Sequence, residues 1–243
     1  AEHMAVQALD RLLSVAYDPQ TGFAHRVDAQ GVVVGTLEDQ AWGALALLRG
    51  YQSTGKKAYL SAAQQVADII LTDYADAESG GFNDLPASRR QAGLGLLKLS
   101  FKPQDDTPSS SATGIVLQVL QQLMWLANEQ TDRARYEQAL AFHLAQLIPQ
   151  VQGHGLYAGA IGVAAFRWRQ PVLKIQVGSQ PELQTAARHV AYPNKLIQHG
   201  SPDAPTVICM GQQCLSAVTD AETLEAQVAQ AIRTHLKPLA QKL

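Results

Sequence analysis

The chain has 243 residues, 47% of them apolar, 16% charged and 6% aromatic, a balance that excludes disordered and collagenous classes. With 19 basic and 21 acidic residues and a formal charge of −2, it offers no electrostatic reason to bind a phosphate backbone, so no nucleic-acid partner is expected. Apolar runs reach about eight residues, short of the roughly 20 that cross a bilayer, and no secretion signal opens the chain, so no membrane partner and a cytoplasmic location are expected.

Val6 to Tyr17 reads as a helix that ends in the turn Asp18-Pro-Gln-Thr-Gly-Phe23, followed by a long connection over about 18 to 38. Ala41 to Leu48 is apolar at nearly every position, Trp42, Leu45, Leu47 and Leu48 included, which predicts an inner helix enclosed on several sides. Lys57 to Thr72 sets Ser61, Gln64, Gln65, Asp68 and Thr72 in one polar stripe opposite Leu60, Ala63, Ala67 and Ile70. That is the pattern of an outer helix. A second long connection, 74 to 110, opens with Asp76-Ala-Glu-Ser-Gly-Gly-Phe82, which parallels the first turn.

Ala112 to Ala127 then repeats the inner texture and Arg133 to Ile148 the outer one. A shift of 77 residues lays Thr54 on Thr131, Tyr59 on Tyr136, Ala62 on Ala139 and Ile70 on Leu147. Two hairpins share one pattern, with the first helix as a partial third copy. Hairpins that bury their apolar faces only against their neighbours curve into a solenoid or a ring. The expected fold is therefore mainly α, a partial α/α toroid of stacked helical hairpins. A full six-hairpin ring needs about 12 helices and well over 300 residues. The ring is expected to be open, closed by other elements or completed by another chain.

After Trp168 the texture changes. Val172 to Val177 is strand-like, and Ser179-Gln-Pro-Glu182 reads as a capping box opening a helix that reaches about Val190. Pro193 to Ile197 and Thr206 to Cys209 are two further candidate strands. Thr219-Asp-Ala-Glu222 reads as a second box, opening a last amphipathic helix with Leu224, Val228, Ala231, Ile232, Leu236 and Leu239 on its apolar stripe. Residues 1–168 are expected to form the helical arc and 169–243 a small α/β segment packed on the same domain.

Both long connections lead into inner helices, so parallel inner helices would gather their N-termini, with the positive ends of their dipoles, at one mouth. Glu38 and Asp39, Asn83 and Asp84, and Lys102, Asp105 and Asp106 with Ser109 to Ser111 converge there by position, and Trp42 lies one turn inside. Paired carboxylates beside an aromatic platform suit sugar chemistry, where one carboxyl protonates the leaving oxygen and the other activates water or attacks. Asp39 and Asp106 are the candidate catalytic residues, and Trp42, Asp84, Lys102, Ser109 and His154 the candidate substrate contacts. The competing reading makes Asp39, Asp106 and the serines helix caps and Asp84 a turn residue.

His143, on an outer helix, is expected to be a surface or half-buried packing residue. Cys209 and Cys214 flank Met-Gly-Gln-Gln, a spacing that admits a disulfide or a metal half-site, with two free thiols as the plainer reading. No His-Glu-x-x-His or comparable spacing occurs, and no metal or cofactor is expected.

The order Leu37-Glu-Asp-Gln-Ala41, Gly50-Tyr-Gln-Ser-Thr-Gly55, Tyr59-Leu60, Gly80-Gly-Phe82, Pro108-Ser109, Val172 to Gly178, and Val207-Ile-Cys-Met-Gly-Gln-Gln-Cys214 with Val218-Thr-Asp220 resembles a known family. It is similar, over roughly residues 30 to 235, to the C-terminal helical region of the thioredoxin-domain-containing proteins of the YyaL and spermatogenesis-associated type. That resemblance implies a six-hairpin glycosidase-like toroid and, by analogy, carbohydrate chemistry. The resemblance does not extend to the family's thioredoxin domain or first hairpins. The usual Pro-Ser-Gly-Asn-Ser reads Pro108-Ser-Ser-Ser111, and the acid normally four residues before that proline is Gln104. No histidine matches an epimerase acid/base. The expected ligand is a sugar or oligosaccharide. The alternative is a non-enzymatic interaction module completed by self-association or by a thioredoxin-like or helical partner.

Overall fold

Helix α1 (Glu2–Val15) leads into a three-stranded antiparallel meander of β1 (Tyr17–Asp18), β2 (Gly22–Asp28) and β3 (Gly31–Val34), in a computed structural model that describes residues 2–92 and 95–240. The sequence suggested only a long connection here. The hairpin follows from β-branched Val27, Val32, Val33 and Val34 on either side of a turn in which the Asp28 carboxylate accepts the Gln30 N–H at 2.8 Å. Most of β2 and all of β3 lie at least partly exposed, so the alternation that marks a half-buried strand is missing.

Helix α2 (Leu37–Thr54) buries Leu37, Ala41, Ala44, Leu47, Leu48 and Tyr51. It stops at Gly55, whose φ of 73° lets its N–H reach back to the Tyr51 carbonyl. Helix α3 (Lys57–Ile69) returns and widens into one π-helical turn, Ile70–Tyr74, closed by the Ala75 N–H on the Ile70 carbonyl at 3.0 Å. The long connection that follows carries the short α4 (Ala87–Ala92).

The second hairpin is α5 (Ala112–Leu126) and α6 (Gln130–Val151). The repeated positions are core anchors: Tyr59 and Tyr136 are each 1% exposed, Ile70 and Leu147 fully buried. Helix α5 packs on α2. Ser109 meets Glu38 at one end of the pair, and the Gln52 amide meets Gln122 at 3.1 Å near the other. Those two contacts share nearly the same sequence offset, so the inner helices run parallel. Helix α7 (Gly159–Arg169) follows, and its first residues press so closely on α5 that a Cβ on Gly114 would lie 2.5 Å from that of Ala160.

The chain divides into two compact units, Ala1–Phe166 and Arg167–Leu243. In the second, β4 (Leu173–Val177) runs parallel to β5 (Lys195–His199) through α8 (Pro181–His189), the hand-over expected of a βαβ unit. β6 (Val207–Met210) and β7 (Gln213–Cys214) complete a sheet of order β5-β4-β6-β7, and α9 (Ala221–Ala240) ends the described chain. Leu173, Ile175, Val177, Ile197, Ile208 and Met210 form one core with residues of α8 and α9.

Both predicted capping boxes need correction. The Ser179 hydroxyl donates to the Pro202 carbonyl instead, and α8 starts on Pro181, which needs no N–H partner. At α9 the cap is Asp220, one residue after Thr219, its carboxylate accepting the Thr223 N–H at 2.8 Å. The free-thiol reading is corrected as well: Cys209 and Cys214 are joined in a disulfide. Among the described residues no helix is long and apolar enough to cross a membrane.

Candidate functional site

The two Asp-initiated turns are built alike. Asp18 accepts the Gln20 and Thr21 N–H groups, and Asp76 accepts those of Glu78 and Ser79. Each turn closes on a phenylalanine, with Tyr17 paired to Phe23 and Ala75 to Phe82. What anchors them differs. Phe23 is held by the buried Gln40 amide, which both donates to and accepts from its backbone at 2.7 and 2.8 Å.

The second turn is held by His143, whose Nδ1 accepts the Gly81 N–H at 3.0 Å, while its ring lies 4.3 Å from that of Phe82. His143 is 3% exposed, more deeply placed than the sequence suggested. Burial lowers its imidazole to about 4, and the nearby Lys102 charge pushes the same way. The ring is therefore a neutral acceptor across the physiological range.

Lys102 fastens the same turn from the other side. Its Nζ pairs with Asp76 Oδ2 at 2.8 Å and donates to the Ser79 hydroxyl and the Gly80 carbonyl. Burial alone would raise the Asp76 carboxyl, but Lys102 and the Ser79 and Glu78 N–H groups outweigh it and hold Asp76 far below the usual carboxylate range.

Past the turn, Asn83 is buried, its amide donating to the Tyr74 carbonyl at 3.1 Å and accepting from the Ser100 hydroxyl. Asp84 is then fixed by its backbone: its N–H donates to the Phe101 carbonyl and its carbonyl accepts the N–H of Leu37, the first residue of α2, both at 2.8 Å. The turn thus delivers Asp84 to the N-terminus of the inner helix. Burial pushes the Asp84 carboxyl above the usual range, and the charges of Glu38 and Asp39 push the same way against a smaller pull from His25. No side-chain hydrogen bond to Asp84 occurs among the described residues.

Glu38, Asp84, Phe101, Lys102, Asp105 and Ser109 to Ser111 line one cavity of about 370 Å³ at this junction. Ser109 Oγ donates to Glu38 Oε1 at 3.1 Å across its wall. Of the sequence candidates, Asp84, Lys102 and Ser109 line this cavity. The others lie around it or away from it. Asp39 Oδ2 accepts from both the N–H and the hydroxyl of Thr36, and His25 Nδ1 pairs with it at 3.0 Å. Asp106 Oδ1 accepts the Ser111 N–H and Oδ2 the Ala160 N–H, both at 2.7 Å, so its carboxylate ties the start of α5 to the start of α7. His154 Nδ1 sits 2.6 Å from Asp105, one residue behind the lining. Trp42 is 39% exposed on α2 and does not line the cavity.

Two lining residues lie outside the candidate contacts: Phe101, which is 65% exposed, and Glu38, which the sequence places at the mouth without marking it as a contact. Among the described residues no cluster of three or more His, Cys, Asp or Glu side chains could hold a metal ion. No protein-family model matches the chain, and no curated protein matches it. The chemistry of the cavity itself carries the functional reading.

Proposed function

We propose that this cavity binds and acts on a neutral polyhydroxylated ligand, a sugar or oligosaccharide, with Asp84 as proton donor and Glu38 as base. Three carboxylates line it against one lysine already committed to Asp76, which disfavours anionic ligands such as phosphates. Phe101 offers the exposed aromatic face on which a sugar ring stacks, the role expected of Trp42. The single observation that carries the reading is the pairing of unlike carboxyls. The Asp84 carboxyl is raised by burial and takes no hydrogen bond among the described residues, while Glu38 is exposed and accepts from Ser109. Environments that separate two carboxyls in this way divide acid from base. Asp39 and Asp106 serve the site by fixing the helix ends that bound it.

In the same reading the two parallel hairpins are an arc of an α/α toroid, the architecture implied by the resemblance to the YyaL-type proteins. A panel of chromogenic glycosides tests the proposal: turnover should fall about a hundredfold or more in both Asp84→Asn and Glu38→Gln. Turnover that survives both substitutions would overturn the assignment.

A further inference from the structure

We propose that Cys209 and Cys214 form a thiol–disulfide exchange site whose substrate is an external dithiol and whose attacked sulfur is that of Cys214. The two cysteines face each other across the β6–β7 hairpin, which turns on Gly211 (φ 60°) and Gln212. Since the Leu215 N–H bonds the Ile208 carbonyl at 2.8 Å, the Cys209–Cys214 pair is of the non-hydrogen-bonded kind, where side chains lie closest, and their Cα atoms are 3.9 Å apart.

A structural staple gains most when it closes a long loop. This one spans a separation of five residues that the hairpin pairing already closes, so stability gives it little purpose. Access is one-sided: Cys209 is 5% exposed and Cys214 exposed. On the central strand, Lys174 is the residue directly opposite Cys209, on the sheet face away from the core that includes Ile175 and Ile208. Directly opposed residues share a face, so Lys174 is the cationic residue next to Cys209 across the ladder.

The step follows from that asymmetry. An external thiolate attacks Cys214 Sγ and bonds to it while the Cys209–Cys214 bond breaks. The electron pair leaves on Cys209 as a thiolate, the form that Lys174 favours. The second external thiol, once deprotonated, attacks its partner sulfur in the mixed disulfide and expels Cys214 as a thiolate. The external dithiol is oxidised to its cyclic disulfide, and the protein pair gains two electrons and two protons.

Dithiothreitol at neutral pH, with timed maleimide quenching, measures the exchange on the intact chain. The bond should reduce fully without denaturant and with an unchanged circular dichroism spectrum. Lys174→Met should slow reduction about threefold or more and Lys174→Arg restore it. Reduction only after unfolding, or a wild-type rate in a folded Lys174→Met, would overturn the proposal. Should Lys174→Met not fold, thiolate absorbance of the reduced wild type decides: one thiol should titrate clearly below the ordinary value of about 8.5, and two thiols at or above it would overturn the proposal.

Discussion

Ser109 Oγ donates to Glu38 Oε1, 71 residues away in the chain, at 3.1 Å, linking the start of α2 to the residues that lead into the parallel α5. The bond is exposed and holds little of the fold. Ser109→Ala should therefore change unfolding free energy by about 0–1 kcal/mol, measured in urea, while weakening saccharide binding through a mobile Glu38. A loss of stability much larger than that would make Ser109 a structural cap.

Asp84→Asn should stabilise the protein. The folded-state carboxyl titrates above its unfolded value, so its ionised form works against folding at neutral pH and stops doing so as pH falls and it protonates. Relief of the burial penalty and of the like-charge repulsion from Glu38 and Asp39, about 0.5 kcal/mol for a half-exposed group, corresponds to a rise in Tm of roughly 1–2 °C at pH 7. The gain should shrink as pH falls toward about 4 and be gone below it. Calorimetry at the two pH values checks this, and a destabilised variant at pH 7 would point to a structural role.

His143→Phe removes the acceptor for the Gly81 N–H, which should cost about 1–3 kcal/mol. The imidazole is lowered from 6.5 to about 4 on folding, so the stability tied to its neutral form is complete above 6.5 and lost as pH falls toward 4. Wild-type stability should slope down across that window more steeply than that of His143→Phe. Equal slopes would show that the ring is not neutral when folded.

The Asp76–Lys102 pair carries the sign opposite to that of Asp84 and the same sign as His143. Its folded carboxyl is depressed, so the stability it gives is present above about pH 4 and lost as pH falls through the lower folded value. Asp76→Asn should cost roughly 1–2 kcal/mol at pH 7, with the gap to wild type closing in acid. Urea melts at pH 7 and in acid measure it; a gap that persists unchanged in acid would assign the effect to the turn alone.

The helices were legible because their signals are local. A continuous apolar run encloses α2 and α5, a polar stripe marks α3, and the 77-residue shift aligns Tyr59 with Tyr136, both of which are buried. The meander at 17–34 was not legible, since strands exposed on both faces show no period-two pattern. The convergence at the mouth followed from loop lengths, but which acids line it did not. Asp39, Asp84 and Asp106 look alike in a sequence. They differ in partners drawn from elsewhere: Thr36 and His25 for the first, the Ser111 and Ala160 N–H groups for the last, and no side-chain hydrogen bond among the described residues for Asp84. His143 reads only as a packing residue in the sequence because its partner, the Gly81 N–H, lies 62 residues away.

A thermal-shift titration with neutral mono- and oligosaccharides, run in parallel on the wild type and Asp84→Asn, tests the sugar-site account most directly. At about a hundredfold excess over Kd, a bound saccharide should stabilise the wild type by about 2.7 kcal/mol, roughly 5–10 °C, and the variant far less. No shift with any saccharide, or the same shift in both proteins, would contradict it.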